Sequence, residues 1–190
     1  MKRIFTICIV LAAACVSAFA QMDEHEPGLY AINGEEATLL TPQNASQSSS
    51  SNNILGVEIG KSKLNYKGIT SDTIASGKFL LVIDPERKNI KQTLKEYNVF
   101  VASMTPANMI IVPLTVEKNK RIYDRGTTIN GINTQTKDRV EFLWEQVSDN
   151  SFMIDAELAP GEYAIVFKPA KLGEFNFNTV FDFTVAFVEE

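Results

Sequence analysis

Residues 179–188 read Thr-Val-Phe-Asp-Phe-Thr-Val-Ala-Phe-Val. Phe181, Phe183, Val185 and Phe187 recur at every second position, with Val180, Asp182, Thr184 and Ala186 between them. Successive side chains of an extended strand point to opposite faces, so the run carries an aromatic row on one face and a smaller, partly polar row on the other. A central position between two layers explains such an aromatic face.

A second run, Leu158-Ala-Pro-Gly-Glu-Tyr-Ala-Ile-Val-Phe167, places a turn dipeptide just before an apolar strand. Pro160-Gly161 suits the centre of a type II turn, where proline presets φ and glycine accepts a positive φ. Tyr163 at the start of the following strand then reads as a tyrosine corner, its hydroxyl bonding a backbone group upstream.

The same short, β-branched and aromatic runs fill the rest of the chain. They include ILGVEIG (54–60), KLNYKG (63–68), KFLLVID (78–84), YNVFVA (97–102), NMIIVPLTVE (108–117), KRIYD (120–124), RVEFLWEQV (139–147) and SFMID (151–155). Strands of this kind, divided by Gly, Asn, Asp and Pro, predict an all-β fold, an antiparallel β-sandwich of about nine to eleven strands, immunoglobulin-like or related. Asn33-Gly34, between GLYAI and EEATLL, predicts a two-residue type I′ hairpin. One segment departs from the pattern. Asp84 at an N-cap, Pro85 at N1 and apolar residues at 90, 94 and 97 read as a short helix near 85–96, with a long ordered loop as the alternative. QNASQSSSSNN, residues 43–53, holds one small apolar residue and is read as a flexible Ser-rich loop.

The N-terminus sets the compartment. Met1-Lys2-Arg3, an apolar stretch too short to span a membrane, and Ala18-Phe19-Ala20 form a secretory signal peptide over residues 1–20, leaving a single domain over 21–190. A competing reading makes Cys15 a lipid-modified anchor after Ala12-Ala13-Ala14. Cleavage after Ala20 removes Cys8 and Cys15, the chain's 2 cysteines, and with them disulfides, thiolate nucleophiles and cysteine metal sites. Two of the 18 basic side chains leave as well, so 16 remain against 23 acidic ones, a formal charge of −7. That surface repels nucleic-acid phosphates and anionic headgroups. No second apolar span follows, so the exported chain has no transmembrane segment.

Five motifs, in order, carry a family resemblance: Pro27-Gly28-Leu29-Tyr30; Thr105-Pro106 with the basic hairpin Lys118 to Arg121; Lys137-Asp138-Arg139-Val140-Glu141-Phe142; Leu158 to Ala164; and Phe181-Asp182-Phe183. In these the chain resembles a group of uncharacterised exported bacterial β-sandwich proteins. The resemblance implies the fold and export, and no activity.

Candidate chemistry is sparse. The 1 histidine, His25, stands in Asp23-Glu24-His25-Glu26, a loose set of cation ligands that reads equally as an acidic chain end. A Ser-His-Asp arrangement would need that same histidine. No catalytic residues, metal site or cofactor are assigned. Two residues are singled out as binding candidates. Asp182, between Phe181 and Phe183, is a carboxylate in a half-buried setting of the kind that raises a pKa. Trp144 shares a strand face with Phe142, and reads either as core or as an exposed ring for stacking on a sugar. The expected function is that of a non-enzymatic, exported module binding a protein or glycan of the cell envelope, with contacts through loops 84–97 and 124–137. The alternative is a carboxylate-dependent glycan hydrolase.

The processing expectation is directly measurable. The intact mass of the exported protein is expected to match a chain starting at Gln21, or its cyclised form, whereas a lipid-modified Cys15 would overturn the unanchored reading.

Overall fold

A computed structural model describes residues 25–54, 57–83, 105–129, 132–133, 139–167 and 179–186. These residues form thirteen strands: β1 (Gly28–Asn33), β2 (Glu36–Leu39), β3 (Pro42–Asn44), β4 (Ser46–Ile54), β5 (Val57–Lys67), β6 (Lys78–Val82), β7 (Met109–Glu117), β8 (Lys120–Ile129), β9 (Ile132–Asn133), β10 (Leu143–Ser148), β11 (Ser151–Asp155), β12 (Gly161–Phe167) and β13 (Thr179–Val185). A 3-10 turn over Pro106–Asn108 precedes β7. The expected helix near 85–96 and the run YNVFVA lie outside the described residues.

The strands make an antiparallel β-sandwich of two sheets. One has five strands in the order β10-β11-β6-β1-β2, and the other has eight, β3-β13-β12-β7-β8-β5-β4, with β9 paired to β8. Between the sheets Leu29, Ala31, Phe79, Leu81 and Ile154 meet Ile111, Tyr163, Ile165, Phe181 and Phe183, all buried. Phe79 and Phe183 pack edge-on across this interface at 4.9 Å. Phe181, Phe183 and Val185 therefore face the inter-sheet core, as the alternation predicts.

The opposite face of β13 and β12 is covered too. Val180, Ala164 and Val166 pack with Ile110, Val112 and Leu114 of β7 and with Leu64, Tyr66 and Tyr123 of β5 and β8. This second core exists because β7 changes partner along its length. Met109–Leu114 pair with β12, and Thr115–Glu117 pair with β8. Pro113, which has no N–H to give a ladder, sits next to that change and is exposed. The eight-stranded sheet thus curls, laying β5 and β8 over the outer face of β7, β12 and β13. Three consecutive buried strands read as continuous apolar runs for that reason.

Four local expectations change. The Ser-rich segment is not a loop: Pro42–Asn44 form β3, and Ser46–Ile54 run antiparallel to the whole of β5, from Ser46 opposite Asn65 to Ile54 opposite Val57. Its order comes from that backbone ladder and not from burial, since every residue from Ser46 to Asn53 is exposed. Residues 124–129, read as part of a loop, continue β8, where Lys61, Gly60 and Ile59 of β5 face Thr127, Thr128 and Ile129. In the first hairpin Asn33 pairs with Glu36, so the turn is Gly34-Glu35, and only Gly34 has a positive φ (65°). One positive φ at the first position is the type II′ pattern, not I′. Gly161 lies at φ 159°, far from the roughly +80° of a type II turn, and opens β12 opposite Val185.

The tyrosine corner is present. The Tyr163 hydroxyl donates to the carbonyl of Ala159 at 2.8 Å, four residues upstream. Tyr30 repeats it, donating to the Glu26 carbonyl at 2.7 Å. Both tyrosines end a Pro-Gly-x-Tyr stretch, 27–30 and 160–163, whose glycine is the first residue of a strand. One such stretch starts an inner strand of each sheet.

Burial raises the Tyr163 phenol above its ordinary value. Burial, then the charge of Glu26, raise that of Tyr30. With the folded pKa above the unfolded one, this contribution to stability is complete below about pH 10 and is lost as pH rises through the raised value. Tyr163→Phe is expected to cost about 1–2 kcal/mol in urea unfolding at neutral pH with the fold intact, and to remove part of the alkaline loss. Wild-type stability would mean that the hydroxyl is immaterial.

Candidate functional site

Asp182 lies on the outward row of β13, so it faces β8 and not the aromatic core. The curl of the sheet brings Arg121 of β8 onto it. Arg121, Asp182 and Glu162 are buried polar residues, with side-chain exposures of 1%, 1% and 7%. The Arg121 Nη1 donates to Asp182 Oδ2 and lies 3.5 Å from Glu162 Oε2. Its Nη2 donates to the Lys67 carbonyl at 2.9 Å, while Nε has no partner among the described residues.

The Glu162 carboxylate also accepts from Ser71, in the segment before β6, and from Thr184 of β13. The Ser71 amide donates to Glu162 Oε2 (3.1 Å) and to Thr184 Oγ1 (3.0 Å), and Thr184 Oγ1 donates to Glu162 Oε1 (2.8 Å). Ser71 Oγ donates to the Asp182 carbonyl at 2.9 Å and accepts from the Thr73 amide at 3.2 Å. The segment then runs beside the end of β13, with Thr184 donating to Thr73 O and Ala75 donating to Thr184 O. Gly77 (φ 99°) follows. A Cβ there would stand 2.3 Å from the Ala156 carbonyl oxygen, so no other residue fits without a backbone shift.

Two buried carboxylates share one guanidinium, and that of Glu162 also accepts from a backbone amide and a hydroxyl, which makes a sealed electrostatic clamp. Glycoside cleavage instead needs a carboxylate pair flanking an open cleft. Asp182 therefore holds layers together. In the sequence Arg121 stands only in a basic hairpin tip, and Glu162 only in a corner. Nothing in their immediate neighbours signals the pairing, because 61 residues separate Arg121 from Asp182.

Trp144 lies in the other sheet, on its edge strand β10. Its Cα partner is the buried Ile154, so the ring starts on the core side. At the margin of the sandwich the opposing sheet covers it incompletely, and Trp144 stays 49% exposed, edge-on to Phe152 at 5.8 Å. The half-buried Phe142 packs against the main core, while Leu143, on the other face, is 79% exposed. Core placement of Trp144 is thus only half realised.

Beside this edge the chain crosses between the sheets, Val140 bridging to Ile111 before β10 begins. An open groove of about 810 Å³ runs along the crossing, with Arg139, Glu141, Phe142, Leu143, Asp155 and Glu157 on its walls. Asp155 also lies 3.8 Å from the exposed Lys78 ammonium. Trp144 and Asp182 are therefore in different sheets and do not form one site.

His25 packs edge-on against Tyr30 at 4.9 Å, beside a shallow hollow of about 580 Å³ near Ile83 and Asn150. Asp23 and Glu24 lie outside the described residues, and no group of three metal-ligating side chains occurs among the described ones. No described helix is long and apolar enough to cross a membrane. No family model, curated protein or solved structure matches the chain.

Removing the cation from the clamp would leave two buried carboxylates unpaired. Arg121→Ala is expected to cost about 3–5 kcal/mol, seen as a lowered denaturation midpoint, whereas the exposed pair Lys63 and Glu117 (3.2 Å) should contribute at most about 1 kcal/mol. Equal losses from Arg121→Ala and Lys63→Ala would contradict the clamp.

Proposed function

We propose that this is an exported, non-enzymatic binding module of an immunoglobulin-like kind, and that it takes a glycan of the cell envelope at the β10 edge. The observation that carries the reading is the half-exposed Trp144, braced by Phe152 on the margin strand β10, whose first residue, Leu143, stands on the wall of an open polar groove. An indole face offers a flat apolar surface to the C–H groups of a sugar ring, and its N–H gives a hydrogen bond at the rim. Glu141, Asp155 and Glu157 accept from hydroxyls or amines, and Arg139 stands on the same wall. Three carboxylates against one arginine favour a neutral or amine-bearing glycan over an anionic one. The signal-like N-terminus, the resemblance to exported β-sandwich proteins and the tyrosine corner support export and the immunoglobulin-like kind.

One observation favours the second reading, a glycan hydrolase. The same groove, unlike the sealed Glu162 and Asp182, brings carboxylates to solvent. The two readings separate by turnover.

The chain's 1 tryptophan makes the test direct, since its emission reports on that edge alone. Titration with fragments of envelope glycan is expected to shift and quench the emission. Trp144→Ala is expected to lower affinity at least about tenfold, the loss of one stacking contact and its buried area, with the circular dichroism unchanged. An emission spectrum indifferent to every fragment would reject the glycan reading. Release of reducing ends by the wild type, lost in Glu141→Gln or Asp155→Asn, would replace it with hydrolysis.

A further inference from the structure

Strand edges carry unpaired backbone donors and acceptors, and proteins blunt them with short length, proline, charge or a bulge. Among the described residues the two strand orders end in four strands, with the two-residue β9 lying off them beside β8, and three of the four are blunted. β2 has four residues and contains Glu36. β3 has three and begins at Pro42. β10 carries Glu145 and a register shift between Gln146 and Ser148.

β4 has none of these devices. It is nine residues long, Ser-Gln-Ser-Ser-Ser-Ser-Asn-Asn-Ile, without a charge, a proline or a break in its register with β5. At about 3.4 Å per residue its edge extends roughly 30 Å. Its polar, exposed side chains keep it soluble without closing it to another strand.

The composition also selects the occupant. A foreign peptide adding to an edge gains specificity from pockets for its alternate side chains, and short serines offer none. A second copy gains it from symmetry. In an antiparallel pair centred on Ser50, Ser49 faces Ser51 and Ser48 faces Asn52 of the other copy. These hydroxyl and amide pairs are each self-complementary, since both groups donate and accept. The acidic chain repels its copies generally, with formal net charge −5, yet this strip is uncharged. The nearest lysines, Lys61 and Lys63 on β5, face Ser50 and Ser48 of their own chain. Three strand spacings, roughly 14 Å, would separate the two β5 strands, which exceeds the screening length at physiological salt. We propose that β4 docks a second copy of this chain, antiparallel about a two-fold axis through Ser50, extending one sheet across both molecules.

The exported chain is expected to show a concentration-dependent monomer–dimer equilibrium in sedimentation. Ser50→Lys, which puts two ammonium groups opposite each other on the axis, is expected to weaken dimerisation at least about tenfold with unchanged circular dichroism. Ser50→Cys should form an intermolecular disulfide on mild oxidation, because facing Cα atoms about 4.5–5.5 Å apart lie within disulfide range. Ser46→Cys, facing Ile54 of the other copy, should not. A chain that stays monomeric at all concentrations, including one that captures some other extended peptide on β4, overturns the proposal. So does a dimer indifferent to Ser50→Lys, or equal cross-linking through Ser46→Cys.

Discussion

The ion pair between Arg121 and Asp182 is the contact on which the shape of the larger sheet turns. In a flat sheet β8 and β13 would be separated by three strand spacings, roughly 14 Å, and could not bond directly. Their contact, reinforced by Glu162 and the Lys67 carbonyl, records how far the sheet has curled. The curl creates the second core of Leu64, Tyr66 and Tyr123 against Ala164, Val166 and Val180. It also draws the 71–75 segment along β13, where Asn33 Nδ2 donates to Ile74 O and Ser76 Oγ donates to Ile32 O, tying in the first hairpin. A buried charge cluster is a poor source of stability compared with apolar packing, but it is intolerant of misregister, since a shifted β8 leaves two carboxylates without a cation. Specification of the layer arrangement is the role that geometry fits.

Satisfying that cluster uses up the most buried carboxylates among the described residues, so recognition is left to the periphery. The half-covered Trp144 and the groove at the start of its strand arise from unequal sheets, five strands against eight, which leave the β10 margin only partly roofed. The long β4 edge arises from the same inequality. It is the last strand of a sheet that has already curled to cover its own back. Both features are consequences of architecture, and both place function at sheet margins where backbone and side chains remain accessible.

Much of the fold was legible in the chain. The period of two in residues 179–185 marked the inner face of β13 correctly, because alternation depends only on the pleat. Tyr163 could be placed as a corner because a hydroxyl four residues beyond a carbonyl is a local geometry, and Tyr30 carried the same Pro-Gly-x-Tyr signal without being read for it. The turns were placed to within a residue while their types were missed, since φ at Gly34 and Gly161 depends on the strands they join. β4 was missed because its side chains bury nothing and its order comes entirely from a partner strand.

Composition and pattern alone therefore determined an all-β chain, most of the described strands, the inner face of β13 and the Tyr163 corner, all properties set by neighbours within a few residues. Only the tertiary structure decided that Asp182 meets Arg121, that Trp144 stands at a half-open margin and that a serine run is an edge strand. Each of these depends on pairing between segments far apart in sequence. The side chains involved carry no local mark of their partners, because a charge, a ring or a row of hydroxyls has the same sequence appearance whether it ends up buried, shielded or bare.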